Sequence, residues 1–228
     1  MTNKLPDVMT EQEWQAFIGQ FNTKAPTGLR NAAMFTLMRD AGLRTCEVIG
    51  LQRRDIRQDV LDGRPVTVLT LQVTKGGKHR NVYLSDRATL LLNSWLAVRE
   101  QRGIGKVKTV FTTLRGEPVK DSYLREVAAR KGAAAGITWR VHPHALRHTF
   151  ATELLDETGN LALVQDALGH SRPETTRVYA KVKNTTLARA MAKPSPVTAD
   201  EQKVAALVAV GFTPEQAQAL LLALPAKQ

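Results

Sequence analysis

The stretch VTVLTLQVTKGGKHRNVYL, residues 66–84, constrains the fold more than any other. Apolar residues alternate with period two on both sides of Gly76-Gly77, which predicts two antiparallel strands joined by a hairpin. Almost everything else carries helical spacing. Thr10 followed by Glu13 is a capping box, and Trp14, Phe17, Ile18 and Phe21 share one face of a helix over residues 10–22. A second helix is expected over 27–41, stacking Leu29, Ala33, Phe35, Leu37 and Met38, with Gly42 as its terminator. A third, short one covers 45–51. Ser85 caps a long helix through DRATLLLNSWLAVRE, and a short strand TVF, a turn at Arg115-Gly116 and a helix from about Asp121 follow. Pro143 fits the first turn of a helix with an apolar stripe of Leu146, Phe150, Leu154 and Leu155. Thr158-Gly159-Asn160 breaks it, Asn160 caps LALVQDAL, and Gly169 ends that helix. Ser171 and Glu174 form another capping box, so Tyr179 is expected on a further short helix. The fold class is therefore α+β, mainly α, with one small antiparallel sheet. The stretch AKPSPVTAD reads as a linker that separates a body, residues 1–193, from an appendage, 194–228. Thr198/Glu201 and Thr213/Gln216 outline a helical hairpin in that appendage.

Charge narrows the function. The formal net charge is +11 and the pI about 10.1. From Ser195 onward, Asp200, Glu201 and Glu215 outweigh Lys203 and Lys227 by one, so the body carries the whole basic excess. A basic globular body reads first as a polyanion binder, because each neutralised phosphate releases counterions. A lysine-rich surface kept for solubility is the plainer alternative. No apolar run reaches the ~20 residues a membrane helix needs. The N-terminus MTNKLPDVMTEQEW has neither the basic start nor the apolar middle of a signal peptide. The single cysteine, Cys46, excludes an internal disulfide framework and fits a reducing compartment, so a cytoplasmic, nucleoid-associated protein is expected.

The stretch HPHALRHTFAT, residues 142–152, crowds His142, His144, Arg147 and His148 into an apolar helix. Three readings compete. His144 and His148, four apart, are half of a zinc-protease pattern, but the position of its catalytic glutamate is Ala145, and Arg147 would repel a dication. Local capping and hydrogen bonding is the plainer reading, and it stands for His142 and His148. The third draws on the rest of the chain: Arg44 at a helix boundary, Lys75 at the hairpin tip, His170 after a helix-ending glycine, and Tyr179 nine residues later. These residue types suit displacement at a phosphodiester. Two guanidiniums grip the non-bridging oxygens and the added charge of the transition state. A tyrosine supplies a nucleophile, a histidine moves its proton, and a lysine protonates the leaving oxygen. No metal or other cofactor is expected.

AGLRTCEVIGL, TKGGKHRNVYL, HALRHTFAT and LGHSRPETTRVYA, in this order, resemble the catalytic-domain signatures of the tyrosine recombinases, the phage-integrase family. The resemblance runs from about Leu5 to Lys183. It implies that Arg44 and Arg147 bind the scissile phosphate, that Lys75 is the general acid and His144 the proton-handling partner. It further implies that His170 fills a position held by histidine or tryptophan, and that Tyr179 forms a 3′-phosphotyrosyl intermediate. Glu47 is expected to support the site, either by pairing with Arg44 or through the role such an acidic residue has in the family. Lys78 and Arg80 compete with Lys75 for the leaving group and are otherwise expected to bind DNA.

By the same resemblance, the partner is double-stranded DNA with specific recombination sites. It implies a homotetramer acting on two duplexes through a Holliday junction, with a monomer in free solution and accessory DNA-bending proteins left open. Relatives carry an N-terminal helical domain of about a hundred residues that closes the clamp on DNA, and here only a few residues precede the catalytic segment. A minimal recombinase, a truncated element and a protein that borrows its grip from a partner all fit. The segment NTTLARAMAK fits a piece that docks on a neighbouring protomer, and the terminal hairpin is either a docking element or packs on its own body. Relaxation of DNA in the manner of a type IB topoisomerase, and non-catalytic DNA-binding regulation, are the alternatives to recombination.

Overall fold

The computed structural model describes residues 8–72, 79–169 and 191. The chain divides into two units, Met1–Lys193 and Pro194–Gln228, and every described residue belongs to the first. The expected capping box at Ser171/Glu174, the helix carrying Tyr179 and the terminal hairpin lie outside the described residues.

Capping chemistry starts the helices where the sequence marks it. Thr10 Oγ1 accepts the Glu13 amide at 3.2 Å and the Glu13 carboxylate accepts the Thr10 amide at 2.8 Å, so α1 runs Glu11–Ile18. It stops short of the expected Asn22 because Gly19 ends it, and Phe21 packs from the following turn. Phe21 still joins Trp14, Phe17 and Phe35 in an aromatic cluster with centroids 5.4–5.9 Å apart. Helix α2, Pro26–Asp40, forms the axis of the fold, and every residue from Leu29 to Arg39 is buried. A helix covered all round must find partners for its polar members. Arg30 donates to the Thr112 carbonyl and to Tyr123 Oη, both at 3.0 Å, and Arg39 donates to both oxygens of Glu153 at 2.6 and 2.8 Å.

After α3, Thr45–Gly50, and a single 3-10 turn, Arg53–Asp55, comes the sheet. It has three antiparallel strands in the order β1-β2-β3: Ile56–Leu61, Arg64–Gln72 and His79–Tyr83. The expected hairpin is its β2-β3 half, in register Val68↔Tyr83 through Gln72↔His79. Strand β1 is an addition. IRQDVL lacks clean alternation because it is an outer strand with no fully buried side chain. The signal for it was the Asp62-Gly63 pair, whose positive φ values of 50° and 77° suit a two-residue hairpin turn.

Helix α4, Asp86–Gln101, is capped by Ser85, and the buried Trp95 donates to the Val110 carbonyl at 2.9 Å. The expected strand TVF is no strand. Thr109 makes only an isolated bridge to Gln52, and Thr112, just beyond the segment, one to Pro118. Helices α5, Asp121–Ala134, α6, Pro143–Thr158, and α7, Leu161–Leu168, complete the described body. Gly159 and Gly169 end the last two in the left-handed region. Helix α2 packs against α4 on one side and α6 on another, and α7 reaches β3. Among the described residues, no helix is long and apolar enough to cross a membrane.

Candidate active site

The route to the site begins where α2 ends. Gly42 takes a φ of +64°, and a Cβ there would collide with the Phe150 ring, so only glycine permits this turn beside α6. The buried Leu43 then anchors the chain and Arg44, with extended backbone, becomes the N-cap of α3. One turn later Glu47 reaches back. Its carboxylate accepts the Arg44 amide at 2.7 Å and Arg44 Nη1 at 2.9 Å. Arg44 Nη2 lies 3.4 Å from the Gly169 carbonyl, beyond the end of α7.

Helix α6 supplies the other half. His142 is its N-cap, with Nδ1 accepting the Ala145 amide at 3.1 Å, so its ring serves local structure as expected. Pro143 occupies the first position, and His144 and Arg147 follow three apart, on one face. Arg147 is buried, with side-chain exposure of 5% against 33% for Arg44. Its guanidinium donates to the Gly42 carbonyl and, at 2.6 Å, to the Leu168 carbonyl, while Nη1 lies 3.7 Å from Glu47 Oε2. Burial, with the nearby charge of Arg44, pushes the Arg147 pKa down to about 10, which still leaves it cationic at neutral pH. The His144 imidazole is held below its ordinary range by partial burial and by His148, Arg147, His142 and Arg44. His148 meets it edge-on, with ring centroids 5.0 Å apart.

Arg44, His144 and Arg147 line one cleft of about 630 Å³, together with Cys46, Val119 and Asp121. Behind it sits Glu47, with side-chain exposure of 10%. Burial pushes its carboxyl up, but hydrogen bonds and charge from Arg80 and Arg44 outweigh that and hold it below the carboxylate range. The result is a fixed pair of cations beside an imidazole whose neutral form is favoured. Guanidiniums held in place before an anion arrives stabilise developing negative charge without a reorganisation cost. A neutral imidazole can take a proton.

Of the residues expected from the sequence, the structure therefore brings together Arg44, His144, Arg147 and Glu47. Arg80, expected to bind DNA, is instead buried, with side-chain exposure of 7%, and its fork holds both Glu47 oxygens. A cation enclosed and paired in that way has no free face for a phosphate. The signal was present in the sequence: on a strand, Arg80 shares its side of the sheet with the buried Val82. Lys75, Lys78, His170 and Tyr179 lie outside the described residues. The backbone acceptors at Gly42 and Leu168 were not foreseen, because they are contacts between distant segments. Among the described residues, no group of three or more histidine, cysteine, aspartate or glutamate side chains could hold a metal ion.

The family model for the phage integrase family matches residues 7–186. The chain belongs to the phage integrase family. Similar relatives include tyrosine recombinase XerC of Actinobacillus pleuropneumoniae serotype 7, 39% identical over 165 residues, covering 71% of this chain and 51% of that protein. Tyrosine recombinase XerD of Lacticaseibacillus casei is 36% identical over 183 residues, covering 79% of this chain and 60% of that one. The fold of this integrase-family chain also resembles the XerH site-specific recombinase bound to palindromic difH substrate in a post-cleavage complex. The TM-score is 0.64 at 30% identity, over 78% of this chain and 50% of that one. The chain thus spans between half and three-fifths of the length of these relatives, 51% and 60% in the two cases.

Proposed function

We propose that the chain cuts and rejoins DNA at specific sites through a covalent tyrosyl intermediate. The observation that carries this reading is the placement of Arg44, Arg147 and His144 on one cleft. Each guanidinium is fixed by groups from separate segments, and one carboxylate lies between them. In the reaction, the Tyr179 oxygen attacks a backbone phosphorus while His144 takes the phenolic proton. Arg44 and Arg147 hold the non-bridging oxygens of the five-coordinate phosphorus. The bond to the 5′-oxygen breaks, Lys75 gives that oxygen a proton, and the strand stays joined to the protein through a 3′-phosphotyrosine. Attack by a 5′-hydroxyl from a second duplex reverses each step and completes an exchange. His170 is assigned to the same phosphate.

The relatives support this reading, since XerC and XerD are named tyrosine recombinases and XerH was solved on a cleaved DNA substrate. Double-stranded DNA is accordingly the partner, and Lys78 is a candidate contact to it. Four protomers on two duplexes, with or without DNA-bending proteins, are the assembly we infer. Residues 1–193 form the catalytic unit and 194–228 the appendage, which we assign to docking between protomers. Action within the cytoplasm, on nucleoid DNA, follows from that substrate.

The test is trapping on nicked duplexes with randomised cores, followed by denaturation and sequencing of protein-linked strands. The wild-type chain is expected to retain a strand subset that defines its site, and Tyr179→Phe to retain none while still binding DNA. Adducts surviving in Tyr179→Phe would show that another residue is the nucleophile. Relaxation of supercoiled plasmid without regard to sequence would favour the topoisomerase reading, and DNA binding with no wild-type adduct the regulatory one. Affinity should also fall steeply with salt, since phosphate contacts release counterions.

A further inference from the structure

Arg80 has no part in the steps above, yet it is buried at the back of the site. Nη1 donates to Glu47 Oε1 at 2.7 Å and Nη2 to Glu47 Oε2 at 2.8 Å, so both oxygens are occupied by one planar fork. The same guanidinium lies against the backbone beyond α7: a Cβ on Gly169 would fall 2.7 Å from Arg80 Nη1 and 3.2 Å from Cζ. Glu47 in turn holds Arg44 by backbone amide and side chain, and Arg44 Nη2 returns to the Gly169 carbonyl. Arg80, Glu47, Arg44 and Gly169 therefore close a ring of contacts. It joins three pieces of chain: β3, which directly follows the segment holding Lys75, the start of α3, and the residue before His170.

We propose that Arg80 is a positioning residue, which by sharing Glu47 limits that carboxylate's hold on Arg44, so that Arg44 faces a phosphate, and which fastens β3 to the α7 terminus. This deepens the proposed function and rests on it. The physical reason for an arginine here is competition. Glu47 is within 2.9 Å of Arg44 Nη1 and 3.7 Å of Arg147 Nη1. Without Arg80 the carboxylate has spare acceptor sites for both cations, and closing on them would draw them away from the substrate. A lysine offers one point charge in place of a two-pronged fork and cannot lie flat on Gly169. Gly169 is required for two reasons at once, its φ of +63° and the Arg80 guanidinium where a side chain would stand.

The experiment compares single-turnover adduct formation on a nicked duplex with the dissociation constant for the same DNA. Arg80→Gln is expected to slow adduct formation about 10²-fold, the scale of a small misplacement acting from behind a site. DNA affinity should fall only several-fold, as for phosphate alone, because most of the lost effect belongs to the transition state. Arg80→Lys should recover only part of the rate. The acid limb of the rate profile should move to higher pH in Arg80→Gln. The groups facing Glu47 are Arg44 from the α3 N-cap, Arg80 from β3 and Arg147 from α6, and removing Arg80 takes away the strongest stabiliser of the carboxylate. A role in stability alone would leave that limb in place. The double variant Arg80→Gln/Glu47→Gln removes the carboxylate together with its fork, so no spare acceptor is left to close on Arg44 and Arg147, and it covers failure of the single variant to fold; it should be no slower than Glu47→Gln alone. A rate in Arg80→Gln within twofold of wild type, or a double variant slowed by the product of the single effects, would overturn the proposal. A second arm needs no DNA. Inorganic phosphate is titrated while arginine side-chain NMR signals are followed, and Arg80→Gln should bind it several-fold more weakly. If wild type forms no adduct but phosphate binding weakens in this way, the recombinase reading fails and the positioning role stands. Equal phosphate affinity in both proteins, or none in either, overturns the positioning role itself.

Discussion

Two clusters of arginine and carboxylate flank the junction between α2 and α3, built partly from the same elements, and they serve opposite ends. In one, Arg39 and Arg87 are surrounded by Glu11, Asp40 and Glu153. The two guanidiniums also lie on the Trp14 ring, at 5.6 and 5.3 Å from its centroid. In the other, Arg44, Arg80 and Arg147 share the single carboxylate of Glu47. Helix α6 contributes Glu153 to the first and Arg147 to the second. Three carboxylates on two cations give a cluster with nothing left for an outside anion, and it ties α1, α2, α4 and α6 together. Three cations on one carboxylate leave surplus positive charge, with Arg44 one-third exposed at the cleft. The sign of the surplus separates a brace from a binding site.

The sharpest way to break this comparison is at Arg147. Replacement by alanine removes one of the two fixed donors that we assign to the phosphate, and the loss of such a donor costs about 10²–10³ in rate. Single-turnover adduct formation is the measurement. A loss below tenfold would mean that the surplus charge is not directed at the reacting group. Arg39→Ala, in the brace, should lower the melting temperature while leaving the rate of the remaining folded protein near wild type.

The carboxylates provide the next contrast. Glu47 is nearly enclosed, with 10% side-chain exposure, whereas Glu153 has 46%. Taking one partner from a buried ion cluster costs about 3–5 kcal/mol, so Glu47→Gln should fall near the lower end of that range, its amide keeping some hydrogen bonds. Glu153→Gln, in contact with solvent, should cost about 1 kcal/mol or less. Denaturant titration of both variants ranks them. Their pH dependences should have opposite sign. The Glu47 carboxyl is held below its ordinary value, so its contribution is complete above the unfolded pKa and is lost as pH falls through the folded one. Burial raises Glu153, against the pull of Arg39, so its contribution is complete below the unfolded pKa and is lost as pH rises through the folded value. Stability measured from pH 3 to 7 should thus lose its acid-side slope in Glu47→Gln and a slope of the other sign in Glu153→Gln.

The brace and the site were unequally legible in the sequence, for a physical reason. Local chemistry could be read: Thr10, Ser85 and Asn160 cap the helices they were expected to cap, and Gly42, Gly159 and Gly169 take positive φ where helices end. The order of the motifs identified Arg44, His144 and Arg147, and the pairing of Glu47 with Arg44 is local enough to foresee. Partners distant in sequence were hidden. Arg147 finds its carbonyl at Gly42, 105 residues away, and Arg39 finds Glu153 114 residues away. Arg80, expected to bind DNA, has its true partner, Glu47, 33 residues away in sequence. Strand β1 has little apolar alternation to show, because it is an outer strand.

The smallest test lies at the edge of the brace. Thr10 caps the helix whose first residue is Glu11, and Glu11 Oε2 lies 2.9 Å from Arg39 Nη2. Thr10→Ala removes the acceptor for the Glu13 amide and frays that first turn, at a cost of about 1 kcal/mol. Glu13 retains a hydrogen bond from Trp139 Nε1 at 2.9 Å, which limits the damage to one turn. For a chain of this size the melting temperature should drop by about 2–4 °C. Adduct formation should not change, because Arg39 keeps both Glu153 oxygens and, among the described residues, Arg44, Glu47, Arg80 and Arg147 make no hydrogen bond to α1. A slowed reaction in Thr10→Ala, with the melting shift no larger than this, would show that the brace and the site communicate through α6. The contrast between them would then be one of degree.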